Sequence, residues 1–166
     1  MGDLLGEGVM EQAFEMPVFS GEDTHSLDDK GRVAVPARLR GYAATVSGRE
    51  VWFVTRGFEK CLLLFTAETW KFLLQGKLSG LSLGNRQHRV FIRNFISPAV
   101  EIQADKQGRI VLPQRLREYA AIKNDVLILG ANKYIELWDP ELLDEEQALS
   151  KMDSAELGSK LEELGF

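Results

Sequence analysis

Residues 28–44 read DDKGRVAVPARLRGYAA, and residues 105–121 read DKQGRIVLPQRLREYAA. The two stretches lie 77 residues apart, and 10 of their 17 positions are identical. Val33 aligns with Ile110 and Val35 with Leu112, so these apolar positions stay apolar. A repeat at a fixed offset is the signature of a duplicated structural unit. The chain is therefore predicted to contain two copies of one small module.

Each copy has the pattern of a turn, a short strand and a short helix. Asp28–Gly31 suits a turn, because aspartate favours its first position and glycine tolerates a positive φ. Residues 32–35 are apolar or β-branched and predict a strand. Pro36 fits the first turn of a helix, which is expected to run to about residue 44. Its buried face is predicted to carry Leu39, Tyr42 and Ala43.

Two further apolar runs follow in each copy. Val51–Thr55 and Lys60–Phe65 predict strands in the first copy, and looser counterparts complete a second copy that spans Ala99 to Asp139. The predicted fold class is therefore mainly β with short helices, an α+β fold. Cys61, the single cysteine, lies in the second run and is expected to be a small core residue.

A helical connector is predicted between the modules. Thr66 can cap a helix over residues 67–78, and Asn85 can cap a second helix that ends near Ile96. The first of these helices is expected to turn Trp70, Leu73 and Leu74 inward. On the second, Arg86, Arg89 and Arg93 form a basic stripe. This stripe is either a solvated face or a surface for DNA or for the acidic tail.

Charge is distributed unevenly along the chain. The net charge is −5, but residues 1–17 carry −4, residues 139–166 carry −7 and residues 18–138 carry +6. A basic body with acidic ends is compatible with a polyanionic partner. The acidic ends can also serve only to keep the protein in solution.

Residue content argues against catalysis. His25 and His88 are the only histidines, and the sequence has no metal-ligand spacing, no nucleophile motif and no phosphate loop. We therefore expect a protein that is not an enzyme and that uses no metal and no cofactor. One cysteine and the lack of an apolar stretch of about 20 residues indicate a cytoplasmic protein without a membrane span.

The segment Gly31–Arg40, GRVAVPARLR, resembles the DNA-binding module of the SpoVT/AbrB-like family. Two such copies, together with Phe19–Gly21 and His25–Arg32, are similar to the MraZ family of transcriptional regulators. The pattern Asp-x-x-x-Arg occurs in both copies, as Asp28/Arg32 and Asp105/Arg109. The resemblance covers about residues 18–143.

The resemblance implies a fold and a function. Swapped hairpins of the two modules would form a pseudo-dimeric β-barrel, and chains would assemble into a ring, a higher homo-oligomer. The protein would regulate, as a repressor, the bacterial division and cell-wall gene cluster, including its own promoter. Its partner would be double-stranded promoter DNA with repeated sites, and it would be cytoplasmic and associated with the nucleoid.

Site residues follow from the resemblance and from the chemistry of guanidinium, which matches phosphate and guanine edges. The candidate DNA-binding residues are Lys30, Arg32, Arg38, Arg40, Lys106, Arg109, Arg115 and Arg117. Asp28, Gly31, Asp105 and Gly108 are expected to order the turns. The alternative is that the arginines pair with acidic residues across a shared core.

Five segments are expected along the chain. They are an N-terminal extension over 1–17, predicted to be disordered, module 1 over 18–66, the helical connector over 67–97, module 2 over 98–143, and an acidic tail over 144–166. Two other functions compete with DNA binding. An antitoxin-like protein-interaction module usually carries one copy, and an RNA-binding protein would need paired surface aromatics for base stacking.

Overall fold

The computed structural model describes residues 15–43, 45–46 and 48–166 of the chain. The disorder predicted for residues 1–17 concerns, over residues 1–14, a part of the chain outside the described residues, while Pro17 is buried and Met16 Sδ lies 3.8 Å from Thr69 Oγ1. The strands in the described part are β1 Glu22–Ser26, β2 Arg32–Ala34, β3 Thr45–Val46, β4 Arg49–Arg56, β5 Leu62–Thr66, β6 Val100–Gln103, β7 Arg109–Val111, β8 Asp125–Ala131 and β9 Tyr134–Trp138. The helices are α1 Ala37–Arg40, α2 Ala67–Phe72, α3 Arg86–Phe91, α4 Gln114–Tyr119, α5 Pro140–Leu149 and α6 Ser154–Glu163. Wider π-helical turns continue α2 over Leu73–Lys77 and α3 over Ile92–Ile96.

Strands of the two copies pair with each other. β2 and β7, the equivalent strands of the repeat, form an antiparallel ribbon in which Val33 pairs with Ile110. β1 of the first copy pairs with β8 of the second, and β6 of the second copy pairs with β4 of the first. The fold is mixed α+β with the sheet predominant, and the two copies are intertwined through their backbones.

The main sheet has the order β1-β8-β9-β5-β4-β3, and β6 also pairs with β4. Among the described residues this pairing does not close into a barrel, so the closed barrel is not confirmed. The β2–β7 ribbon is separate from the sheet and short. Pro36 and Pro113 follow soon after these two strands, and proline has no N–H to donate to a longer ladder.

The sheet is buried on both faces at its centre. Successive side chains of a strand point to opposite faces, so Leu62 and Leu64 lie on one face of β5, and Leu63 and Phe65 on the other. The first face packs against the β2–β7 ribbon and the helices that follow it, with Val33, Leu39, Ile110 and Leu116 in the same cluster.

Helices cover the second face. Trp70, Phe95 and Leu143 come from three helical segments and pack with Phe65 and Trp138 of the sheet. Leu73 and Leu74 pack against this cluster as partly buried residues. Cys61 is buried here, as predicted, and burial raises the pKa of its thiol to about 12.

Both predicted helix caps of the connector are confirmed. The Thr66 Oγ1 accepts a hydrogen bond of 3.2 Å from the Thr69 backbone N–H. The Asn85 Oδ1 accepts bonds of 2.8 and 3.2 Å from the backbone N–H groups of Gln87 and His88. These bonds satisfy donors that have no partner inside the helix.

The helix after Pro36 is shorter than predicted. It ends at Arg40, and Tyr42 is 48% exposed instead of buried, with its ring edge against Phe19. Leu39 is buried, as predicted. The second copy keeps a longer helix, α4, and its Tyr119 packs partly buried against the first core cluster. Gly41 stands where the second copy has Glu118, and glycine is a poor helix former.

The segment after β9 repeats the beginning of the connector. Asp139, which follows β9, caps α5, as Thr66, the last residue of β5, caps α2. Leu143 of α5 is buried, so this helix belongs to the folded body although it crosses the predicted start of the tail at residue 144. Beyond α5, residues 150–166 are exposed. Within the described part of the chain, no helix combines the length and apolar character needed to cross a membrane.

Leu64→Ala is expected to lower the free energy of unfolding by about 2–5 kcal/mol, because it leaves a cavity in the most buried strand. Leu64 is fully buried, whereas Leu83 is 80% exposed and provides the control. Leu83→Ala should change stability by less than about 0.5 kcal/mol. Urea denaturation of both variants measures the difference. Equal losses would contradict the packing described for β5.

Candidate nucleic-acid interface

The turn before β2 holds Arg32 by its aspartate. One carboxylate oxygen of Asp28 accepts hydrogen bonds from the backbone N–H groups of Lys30 and Arg32, at 2.9 and 2.8 Å. The other oxygen accepts from Arg32 Nε at 2.6 Å. Gly31 has a φ of +75°, a conformation that glycine adopts without strain. The turn therefore fixes both the backbone and the side chain of the arginine.

The turn before β7 repeats this geometry. Asp105 accepts from the backbone N–H groups of Gln107 and Arg109 at 2.9 and 3.0 Å, and from Arg109 Nε at 2.7 Å. Gly108 has a φ of +76°. The two copies thus present the same arginine in the same way. The lysines are not equivalent, because Lys30 aligns with Gln107 and Lys106 aligns with Asp29.

The two aspartates stay ionised over the whole physiological range. Hydrogen bonds from the backbone N–H of Arg32 and of Arg109 are the largest cause that lowers the pKa of Asp28 and Asp105 below the ordinary value of 3.8. A lowered carboxyl pKa stabilises the turn above that ordinary value, and the stabilisation is lost as the pH falls through the lowered pKa.

Each turn arginine keeps donors for a ligand. Arg32 and Arg109 are about one third exposed, and among the described residues their side chains donate only through Nε. The terminal nitrogens carry four further N–H donors. Because the carboxylate restrains the guanidinium, binding a phosphate or a guanine edge costs little side-chain entropy.

Arg40 and Arg117, which come from helices α1 and α4, reach the turns of the opposite copy. A Cβ atom built on Gly108 would overlap Arg40 Cζ, and one built on Gly31 would lie 3.0 Å from Arg117 Cζ. Arg40 is held by Glu50 through Nε and Nη2 at 2.9 and 2.8 Å, and Arg117 Nε donates to the Leu112 carbonyl at 3.0 Å.

The predicted basic residues therefore form two groups that each combine both copies. The Arg32 cluster consists of Lys30, Arg32 and Arg117, and the Arg109 cluster consists of Lys106, Arg109 and Arg40. Lys30 and Lys106 are exposed at the turns. Sequence reasoning did not find Glu50, which anchors Arg40, because the acid lies on a later strand and only the fold brings it near.

Arg38 and Arg115 have different surroundings. Arg38 forms an ion pair with Asp23 and donates to the Ser20 carbonyl. Both side chains of this pair are partly exposed and belong to the first copy, so it differs from the pairing across a shared core that was the alternative. Arg115 is exposed on α4 and lines a cavity with Arg56 and Arg93. In the described residues no three His, Cys, Asp or Glu side chains lie close enough to hold a metal ion.

This arrangement defines a class of protein, one that has two intertwined copies of a β-rich module and presents an arginine-bearing turn from each. The model of the family described as "MraZ protein, putative antitoxin-like" matches the chain twice, over residues 18–94 and 95–160. The chain belongs to the MraZ family. The two matches agree with the internal repeat.

Curated relatives agree with the family assignment. A protein named transcriptional regulator MraZ from Acetivibrio thermocellus is 36% identical over 149 residues, which cover 90% of this chain and 100% of the relative. A protein of the same name from Carboxydothermus hydrogenoformans is 40% identical over 75% of this chain and 83% of its own length. Another, from a Roseiflexus species, is 38% identical over 90% of this chain and 100% of the relative.

Gly108→Ala should destabilise the protein by about 1–2 kcal/mol or more, because an L residue is strained at positive φ. The new methyl group would also displace Arg40 from the Arg109 cluster. Gly41 provides the control, since its φ is −62° and nothing lies within 4 Å of an added Cβ. Gly41→Ala should leave stability unchanged or raise it by about 0.4–1 kcal/mol. Thermal unfolding measures both, and a neutral Gly108→Ala would contradict the turn geometry.

Proposed function

We propose that this protein is a transcription regulator that binds double-stranded promoter DNA through the Arg32 cluster and the Arg109 cluster. The observation that carries the proposal is the repeated turn, in which an aspartate holds the Nε of an arginine and leaves its terminal nitrogens free among the described residues. The curated relatives are named transcriptional regulators, which agrees with this function.

Each basic group has a separate role in the proposal. Arg32 and Arg109 contact phosphates or base edges from a fixed backbone, and Arg40 and Arg117 add a second guanidinium to each cluster. Lys30 and Lys106 contribute phosphate attraction as point charges. Asp28 and Asp105 orient the arginines and do not contact the DNA, since carboxylates repel phosphate.

The finer proposal concerns targets and assembly. The intertwined copies act as a pseudo-dimer with swapped, barrel-like modules, and one chain offers two clusters to DNA. A ring of such chains would bind repeated sites with an avidity far above that of one module. The target is the division and cell-wall gene cluster with the protein's own promoter, where the protein acts as a repressor and associates with the nucleoid.

An antitoxin-like role is the second candidate, and the description of the family favours it. A protein partner would use shape and apolar contacts as well as charge, whereas DNA binding depends steeply on salt. The DNA experiment below therefore separates the two functions.

Replacing Arg32 with Ala should weaken binding to a fragment of the protein's upstream region by about 1–3 kcal/mol, and replacing Arg109 should do the same. Affinity of the unchanged protein should fall with salt, with a log–log slope of about −0.9 per phosphate neutralised. Arg38→Ala is the matched control, because Arg38 is already paired with Asp23. Salt-titrated fluorescence anisotropy measures all three variants.

Unchanged DNA affinity in the double variant Arg32→Ala/Arg109→Ala would show that these turns do not belong to the DNA interface. Melting temperatures check that the variants fold. A large fall in the melting temperature of the double variant would instead show that the two arginines stabilise the fold.

Assembly into a higher oligomer is supported by α6. Leu157 and Leu161 of α6 and Leu164 at its C-cap follow helical spacing and are 53%, 55% and 68% exposed, and the helix begins with a complete capping box. Such an apolar stripe favours contact with a second copy of the chain.

Light scattering at micromolar concentration should therefore give a mass several times that of the chain. Leu157→Glu/Leu161→Glu should lower the mass, because it places charge on the apolar stripe, while Lys160→Glu on the same helix should not. A monomeric mass for the unchanged protein would contradict assembly.

A further inference from the structure

A cavity with a volume of about 510 Å³ opens on the surface between α4 and the end of α3. Three arginines line it, and each comes from a different element. Arg56 ends β4, Arg93 lies in the π-helical turn after α3, and Arg115 lies on α4. Ser97 and Gln114 add a hydroxyl and an amide to the lining.

The cavity carries positive charge without a neutralising partner. In the described residues none of the three guanidinium groups forms an ion pair or a hydrogen bond, and no aspartate or glutamate lines the cavity. Arg56 lies with its Cζ 5.0 Å from the centroid of the Tyr119 ring, and its buried Nε has no hydrogen-bond partner. Buried polar atoms are normally paired, so the unpaired Nε sets Arg56 apart from most buried groups.

The other copy of the repeat shows what fills the equivalent place. Arg38 is the counterpart of Arg115, and it binds Asp23 and the Ser20 carbonyl. The offset of 77 residues places Val100 where the first copy has Asp23, and Val100 lines the cavity. The second copy therefore has no carboxylate at the position equivalent to Asp23, while Arg56 and Arg93 lie at the same cavity as Arg115.

We propose that this cavity binds a phosphate group. Guanidinium groups bind phosphate with paired N–H donors, and three of them around one opening suit a doubly charged oxyanion better than a single carboxylate. The phosphate belongs either to the DNA backbone or to a free phosphorylated small molecule, which a cavity of this size can hold. A backbone phosphate as the ligand rests on the proposed function, whereas a free phosphorylated molecule does not.

The variants are chosen to change this cavity alone. Arg93→Ala removes one guanidinium, and Arg86→Ala is its control because Arg86 lies on the same helix, carries the same charge and is not among the residues that line the cavity. Val100→Asp restores the carboxylate that the first copy has at Asp23, so it should neutralise Arg115 from within the protein. A melting temperature for each variant checks its fold.

Two measurements distinguish the sources of phosphate. The first is calorimetric titration of inorganic phosphate into the full protein without DNA, where Arg93→Ala and Val100→Asp should bind roughly tenfold more weakly than Arg86→Ala. The second is the salt-titrated DNA binding described above. There the log–log slope of affinity against salt should be smaller in magnitude for the two cavity variants than for Arg86→Ala, by about 0.9 for each phosphate contact that is lost. If the cavity variants weaken only the binding of inorganic phosphate, the ligand is a free phosphorylated molecule. If they also change DNA binding, the ligand is a phosphate of the DNA backbone.

The proposal is overturned if the cavity variants match Arg86→Ala in both measurements. It is also overturned if they change only the mass of the oligomer, since the cavity would then receive an acidic segment of a second copy. The double variant Arg32→Ala/Arg109→Ala separates this inference from the proposed function. Even if this double variant no longer binds DNA, adding Arg93→Ala or Val100→Asp to it should still weaken phosphate binding.

Discussion

The antiparallel pairing of β2 with β7 is the contact on which the rest of the structure depends. It joins the two equivalent strands of the repeat, with Val33 and Ile110 paired and both buried in the first core cluster. Three-residue strands supply few hydrogen bonds, so the ribbon is stable only because its apolar side chains are buried against the sheet. The pairing also sets each turn beside the helix of the other copy, which is why Arg40 lies over Gly108 and Arg117 over Gly31.

Glycine at both turns meets two physical requirements at once. The left-handed backbone conformation of Gly31 and Gly108 closes the turn around the aspartate, and the missing Cβ leaves room for an arginine of the opposite copy. Each arginine cluster therefore needs residues of both copies. The cross-copy strand pairing and the composite arginine clusters are two consequences of the same intertwining.

Local patterns in the sequence predicted most of the local structure. The repeat located the turns, the short strands and the helices after proline, and Thr66 and Asn85 were correctly predicted as caps because capping depends on a few adjacent residues. The pairing of β1 with β8 and of β6 with β4 could not be derived, because apolar runs do not specify their pairing partners. The exposure of Tyr42 and the Arg40–Glu50 ion pair were not predicted for the same reason, because both depend on residues that only the tertiary fold brings near. The signal for α5 was present in Asp139–Pro140 and Leu143, where a cap, a first-turn proline and an apolar residue follow a strand as in the first copy.

The distribution of charge explains how an acidic chain can present local basic surfaces. The Arg32 cluster has three basic groups beside Asp28 and Asp29, and the Arg109 cluster has three beside Asp105 and Glu50, so each turn is only weakly positive. The cavity of Arg56, Arg93 and Arg115 has three basic groups and no acidic residue in its lining. Because interactions between exposed charges are screened within about 10 Å at ordinary salt, these local balances matter more to a ligand than the net charge of −5. The turns thus hold single arginines in a fixed orientation, whereas the cavity gathers three arginines without a carboxylate, so the two kinds of basic surface differ in physical character although α4 supplies Arg117 to one and Arg115 to the other.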